Sequence, residues 1–259
     1  MITGDTTYLA LATTLALVIL RVAGIFIAAP IFASAAVPVR LRVLIAIVIG
    51  LAVAGRATAP AALPTSVIGL ILAAAGELAI GAVVGYAAQL IFAGVEVGAF
   101  YVSQQMGLSL AEVVDPVTQA PSDPIRSFYN LLAVVIFLAI GGHRQMIGSL
   151  LASFDFVPLM GLTVGGGLPA TAAGLLSASF VLALKLAGPV LAAMLLATAA
   201  MAILEKAIPQ CNFLTTGLPA RAILGLVVVA AAVGVVAPLL GTAADLMMRN
   251  VPAMLAGSR

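Results

Sequence analysis

Long apolar runs, separated by isolated charged residues, make up most of this chain. Arg221 and Asp245, for example, enclose 23 uncharged residues. A helix needs about 20 apolar residues to cross the hydrocarbon core of a bilayer, and a charge inside that core is costly. The charges therefore mark boundaries between spans, and the pattern predicts between five and eight hydrophobic segments.

Two of these runs are too long for one ordinary span. Residues 67–100 and 168–204 are apolar apart from a few polar positions. Each run is either two spans joined by a tight turn, or one long helix that leaves the bilayer and packs on other protein. Gly188 and Pro189 predict a break in the second run, because proline removes a helical hydrogen-bond donor.

Glycines repeat at helical spacing within the first of these runs. Gly81 and Gly85, and again Gly94 and Gly98, are separated by three residues. This spacing places two glycines on one face of a helix, where a second helix can approach closely. We therefore expect tight helix-on-helix packing at both pairs.

The composition supports an all-α integral membrane protein and argues against several other classes. Hydrophobic residues make up 64% of the chain and charged residues 8%, against about 25% charged in an average soluble domain. The net charge of +2 comes from scattered residues, so no basic patch predicts nucleic-acid binding. One histidine, one cysteine and no recognisable nucleotide-binding or nucleophile motif predict no metal, no cofactor and no enzymatic activity.

Residues 103–124 form the most polar stretch of the chain. Three prolines, three acids and three glutamines lie here, so a continuous helix through lipid is not expected. Irregular backbone survives at membrane depth only where protein or water surrounds it. The stretch is either an ordinary solvent loop or a loop that enters a pore and blocks it.

A second irregular stretch, residues 205–221, joins the last two apolar runs. It contains Pro209 and Pro219 among polar residues. The geometry expected from its position is a helical hairpin with a polar tip, and a simple turn is the plainer alternative.

Charges within the apolar runs are candidates for function, because they are costly at membrane depth. Structural ion pairs between helices, such as a glutamate with Lys185, are an equal alternative. A proton relay is less well supported, because the acids do not follow one face. The candidate residues are Arg21, Glu77, Glu96, Lys185 and Asp245.

Taken in order, these segments resemble the FliR family, the R component of the flagellar type III export gate, whose injectisome counterparts are the T-type export apparatus proteins. The resemblance covers nearly the whole chain and begins with Arg21–Gly24, Ala29–Phe32 and the basic segment Val37–Arg42. Its most specific part is Gln105–Ser109 followed by Asp115-Pro116. The remaining matches are Glu77 with Gly81 and Gly85, Gly142-His143, Phe154–Pro158, and Pro209–Arg221.

The resemblance implies a single membrane-embedded domain over residues 1–259, built of long, partly broken helical hairpins within a helical gate assembly. It implies a plug loop, with Gly107 and Ser109 setting its turn, and a tip near the cytoplasmic entrance. The plug residues carried over are Met106, Gly107, Leu108, Ser109, Asp115 and Pro116. The tip residues carried over are Pro209, Gln210, Asn212, Gly217, Pro219 and Arg221.

The function that this resemblance implies is passage of unfolded flagellar subunits through a channel in the inner membrane at the flagellar basal body. The implied partners are the P and Q gate components, the A and B components of the export apparatus, unfolded substrates and membrane lipid. An injectisome export protein, a secondary transporter and a purely structural scaffold are the alternatives.

Overall fold

The structure, a computed structural model, describes residues 3–30, 37–57, 66–108, 123–161, 167–207 and 213–256. Within these ranges the chain is helical and contains no strand, which confirms the predicted all-α class. The helices are α1 (Thr3–Ala28), α2 (Val39–Val53) with a short 3₁₀ turn (Ala54–Arg56), α3 (Val67–Met106), α4 (Pro124–Ala139), α5 (Gly142–Phe156), α6 (Gly167–Ala207) and α7 (Phe213–Ala256).

Three of the helices are far longer than a bilayer requires. Helices α3, α6 and α7 contain 40, 41 and 44 residues, which corresponds to about 60 Å each, against a hydrocarbon core of about 30 Å. Both overlong apolar runs are therefore single long helices. In the described part of the chain four helices are long and apolar enough to cross a membrane, and α4 with α5 could form a fifth span.

The predicted break at Gly188-Pro189 is wrong, because α6 continues through Pro189. Proline removes one N–H donor from a helix. Ending the helix there would instead leave several N–H and C=O groups without partners on both sides of the break. In apolar surroundings each such group is expensive, so continuing the helix is the less costly arrangement.

The first of two compact units consists of Met1–Leu90, Gly141–Leu176 and Ala244–Arg259. In its core α1 packs against α2 and against the first half of α3. Gly24 lies on the backbone of Leu78 and Gly81, and Gly81 lies on the carbonyl oxygen of Arg21. A side chain at either glycine would overlap backbone atoms, so the spacing of Gly81 and Gly85 serves close helix packing, as predicted.

The second unit consists of Ile91–Ile140 and Ser177–Ala243. Here the second half of α3 packs on α6, with Gly94 against the backbone of Ser179 and Gly98 against that of Ala183. This confirms the close packing predicted for the second glycine pair. On another side of α3, the rings of Phe92 and Phe137 lie 5.3 Å apart and join α3 to α4.

Candidate functional site

The start of the predicted plug loop is fixed by the end of α3. Gly107 adopts a φ of +78°, a conformation that glycine reaches without strain. The N–H of Gly107 donates to the carbonyl of Gln104 at 3.1 Å, and that of Leu108 donates to the carbonyl of Ser103 at 3.2 Å. This pair of bonds is a Schellman motif, which stops a helix and satisfies its last carbonyls.

The end of the same loop is fixed by the start of α4. The Asp123 side chain accepts hydrogen bonds from the N–H groups of Ile125 at 3.0 Å and Arg126 at 3.2 Å. Pro124 occupies the first helical position, where its missing donor costs nothing. Asp123 is therefore the N-cap of α4, and both ends of the loop are set by helix-terminal hydrogen bonds.

Helices α3 and α4 form an antiparallel hairpin around this loop. Besides the phenylalanine contact, the Arg126 guanidinium lies 5.2 Å from the ring centre of Phe100 and 3.8 Å from a carboxylate oxygen of Glu96. Residues late in α3 thus contact residues early in α4, so the ends of the two helices that flank residues 109–122 lie side by side. Glu96, one of the five candidate charges, is part of this contact.

The last residues of α3 before the loop contact α6 and α7. Met106 is buried, with 1% of its surface exposed, and its side chain shares a notch at Gly225 with that of Met194. Gly107 lies beside the side chain of Leu218. The first turns of α7, which contain the predicted tip residues Gly217, Pro219 and Arg221, are therefore adjacent to the start of the loop.

The predicted bounds of both irregular stretches include residues that belong to helices. Ser103–Met106 belong to α3 and Pro124 to α4, while Gly217, Pro219 and Arg221 belong to α7. Buried Ser103 and Met106 keep α3 helical until Gly107 ends it. Six of the predicted residues lie outside the described part of the chain, namely Ser109, Asp115, Pro116, Pro209, Gln210 and Asn212.

Arg21 and Glu77 form a buried ion pair between α1 and α3. The Arg21 Nε lies 2.5 Å from Glu77 Oε2, and the two side chains are 0% and 1% exposed. An unpaired charge at such depth would be strongly destabilising. These two candidate charges are therefore structural partners of each other.

The same ion pair reaches the end of α5 and the turn that follows it. Arg21 Nη1 donates to the carbonyl oxygens of Ser153 at 3.2 Å and Val157 at 3.0 Å, and the guanidinium lies 4.2 Å from the ring centre of Phe154. Glu77 Oε1 accepts from the N–H of Met160 at 2.8 Å. These partners could not be predicted from the sequence, because nearly every residue carries the same backbone carbonyl and amide groups.

Asp245 lies on the surface of the first unit. Its carboxylate accepts from Gln145 Nε2 at 2.8 Å and lies 4.0 Å from the Arg249 guanidinium. Together with Ser149 and Met248 these residues line an open groove between α5 and the end of α7. Asp245 is thus paired within the chain.

Lys185 differs from the other four candidates. It is exposed on α6, and in the described ranges no ion pair or hydrogen bond is found for its ammonium. The suggested pairing of a glutamate with Lys185 is wrong for both Glu77 and Glu96, which pair with Arg21 and Arg126. An unpaired lysine at the centre of a spanning helix costs about 2.5–3.5 kcal/mol on insertion scales.

Long apolar helices, whose candidate charges apart from Lys185 pair within the described part of the chain, define an all-α integral membrane protein. The profile of the family described as "Bacterial export proteins, family 1" matches residues 12–247. Together with the relatives below, this match shows that the chain belongs to the FliR family of bacterial export proteins.

The relatives are flagellar proteins. The flagellar biosynthetic protein FliR of Escherichia coli (strain K12) is 31% identical over 222 residues, which are 85% of this chain and 84% of the relative. FliR of Bacillus subtilis (strain 168) is 27% identical over 208 residues, or 79% of this chain and 80% of the relative. FliR of Caulobacter vibrioides is 25% identical over 212 residues, or 82% and 84%. The chain is thus a membrane component of the flagellar biosynthesis and export apparatus.

Proposed function

We propose that this chain forms part of the channel through which unfolded flagellar subunits leave the cell, and that the loop beyond Gly107 closes this channel at rest. The observation that carries the proposal is the anchoring of the loop. A Schellman motif at Gly107 and an N-cap at Asp123 fix the two helix ends of one antiparallel hairpin on either side of residues 109–122.

The anchoring supports a closing role because it restricts where the loop can go. Residues 109–122 contain Pro116 and Pro121 and the acids Glu112 and Asp115, a composition that cannot face lipid as irregular backbone. The two flanking helix ends are fixed, which limits how far the segment between them can extend from those ends. An unfolded substrate that displaces it would leave both helices intact.

The apolar surface supports assembly with other gate components. Exposed leucines and isoleucines continue along helices that are about twice as long as the bilayer core is thick. The parts beyond the bilayer need an apolar covering that lipid cannot supply. We propose that the P and Q components supply it, in the inner membrane at the flagellar basal body, with the A and B components nearby.

The test is ion leak across the membrane of cells that express the whole gate. One variant replaces residues 109–122 by a Gly-Ser-Gly bridge, and a second replaces them by Gly and Ser at unchanged length. We expect a large leak in the first and a smaller leak in the second, because some bulk still occupies the channel. The neutral control is Gly234→Ala, which adds a methyl group where no atom of another described segment lies within 4 Å.

Retention of the P and Q components in pull-downs makes the leak interpretable. An assembled gate that stays sealed without residues 109–122 would contradict the closing role, and the chain would then be a scaffold whose partners close the pore. A leak that follows loss of the partners would reflect failed assembly, and it would contradict the proposal only if the assembled fraction remains sealed.

A further inference from the structure

Lys185 is the one candidate charge in the described apolar helices without a partner in the same part of the chain. Arg21 pairs with Glu77, Glu96 with Arg126, and Asp245 with Gln145 and Arg249. The fold thus neutralises the other four, two of them at its surface. Among the described residues no anion reaches Lys185, so a partner for it lies outside this part of the chain.

Lys185 lies far from both ends of α6, so its ammonium cannot readily reach water beyond a helix end. It lies about five turns from the nearer end of α6, whereas Lys206 lies in the last turn. The side chains beside it are apolar and exposed, with Val181 47% and Leu184 66% accessible. The ammonium is therefore surrounded by apolar surface. The low local dielectric constant there strengthens its attraction to a nearby anion.

The surface next to Lys185 is shaped for a helix. At Gly188 no atom of another described segment lies within 4 Å of the place a Cβ would occupy, and Ala192, one turn further, is exposed. Small residues at this spacing let a second helix approach closely. Pro189 also lacks the N–H that would normally donate to the carbonyl of Lys185. The Lys185 carbonyl oxygen is therefore a second polar group at this position, without its usual helical donor.

We propose that this face of α6 binds an apolar helix of another gate chain, and that a carboxylate of that helix pairs with Lys185. A carboxylate is the anionic group that a side chain on a protein helix can present, and its charge complements that of Lys185. The inference rests on the proposed function only in requiring that other gate chains surround this one. Pore closure by the loop plays no part in it.

The first test compares substitutions of Lys185 in the full chain, expressed with the complete gate and extracted in mild detergent. The measurement is the fraction of this chain that migrates with the assembled gate on a native gel. We expect at least a ten-fold loss for Lys185→Glu, a three-fold or larger loss for Lys185→Met, and no more than a two-fold loss for Lys185→Arg. Lys206→Met, on the same helix, should leave assembly unchanged.

The second test identifies the anion. A photoreactive amino acid in place of Leu184 should cross-link to a peptide of another gate chain that contains an aspartate or glutamate in an apolar run. Replacing that acid by lysine, together with Lys185→Glu, should restore assembly to within two-fold of the unaltered gate.

Two results would overturn the inference. Full assembly of Lys185→Met and Lys185→Glu would mean that the lysine only reaches lipid headgroups or water. A cross-link confined to lipid or to this chain would mean that no partner helix covers the face. Because the readout is assembly and not ion leak, such a failure would leave the closing role of the loop standing.

Discussion

Two Arg–Glu pairs attach α3 to a neighbouring helix, and they differ mainly in depth. Arg21 and Glu77 join α1 to the first half of α3, with side chains 0% and 1% exposed. Arg126 and Glu96 join α4 to the second half, with side chains 32% and 63% exposed. The same chemistry therefore occurs once inside a core and once on a surface.

The difference in burial determines how much each ion pair contributes to stability. Burying two charges costs desolvation energy that only good geometry and further hydrogen bonds repay. Arg21 and Glu77 have such bonds to the backbone of Ser153, Val157 and Met160, so the pair ties three separate segments into one core. An exposed pair gains little, because water and salt weaken it, and the α3–α4 hairpin relies more on contacts such as Phe92 with Phe137.

Removing one partner of each pair should give the largest contrast. We expect Glu77→Ala to lower the free energy of unfolding by about 3–5 kcal/mol, because Arg21 would remain as an uncompensated buried charge. Glu96→Ala should cost about 1 kcal/mol or less. Denaturant unfolding of the purified chain in detergent, followed by circular dichroism, measures both.

The double variant Arg21→Met with Glu77→Leu provides the control. Replacing a buried pair by apolar side chains of similar volume is often nearly neutral, so the double variant should be more stable than Glu77→Ala. Equal losses in the Glu77→Ala and Glu96→Ala variants would show that depth does not govern the two pairs.

The glycine contact behind the buried pair should give the second-largest effect. In Gly81→Ala the new methyl group would overlap the carbonyl oxygen of Arg21, and backbone cannot move aside as a flexible side chain can. We expect a loss of about 1–3 kcal/mol from this overpacking. The same unfolding measurement checks it.

Gly148→Ala is the matched control in the same unit, because no other segment that the structure describes lies within 4 Å of a Cβ at that position of α5. Alanine favours helix over glycine by up to about 1 kcal/mol, so this variant should be neutral or slightly stabilising. A stabilising effect of Gly81→Ala would mean that α1 and α3 are not in close contact there.

The sequence predicts features that depend on local pattern. Helix class, the close packing at Gly81 and Gly94, and the five candidate charges all follow from apolar periodicity and the rarity of charge in membranes. The boundaries of the polar loop were less accurate, because burial of Met106 extends α3 beyond the point where polar residues begin.

Features that depend on which helices meet could not be predicted from one sequence. Nothing in the pattern assigns Glu77 to Arg21 and not to Lys185, because pairing depends on the register between distant helices. The notch that Gly225 provides for Met106 and Met194 is also invisible, since all three are ordinary residues of apolar helices. The helix break predicted at Pro189 is wrong, because the tendency of proline to end a helix is outweighed by the cost of breaking a helix in apolar surroundings.

The cap of α4 should give a smaller effect than either change in the first unit. Asp123→Ala removes the acceptor for the N–H groups of Ile125 and Arg126, and loss of an N-cap costs about 0.5–2 kcal/mol. Hydrogen exchange should show faster exchange at these two amides, with little change in α3. Asp123→Asn retains an acceptor and should preserve most of the protection, and unchanged exchange in Asp123→Ala would show that the cap does not hold the loop end.

The surface pair should give the smallest effect, and salt should distinguish it from the buried one. Arg126→Gln removes the contacts to Glu96 and Phe100, and we expect a loss of about 1 kcal/mol or less at low salt. Because exposed charges are screened over about 10 Å at 0.1 M salt and about 3 Å at 1 M, the loss should shrink further between these concentrations. The loss in Glu77→Ala should change little, since salt does not enter the core around Arg21. Unfolding at both salt concentrations measures the two trends, and a salt-independent loss in Arg126→Gln would mean that packing on Phe100, and not the charge of Glu96, holds α4 against α3.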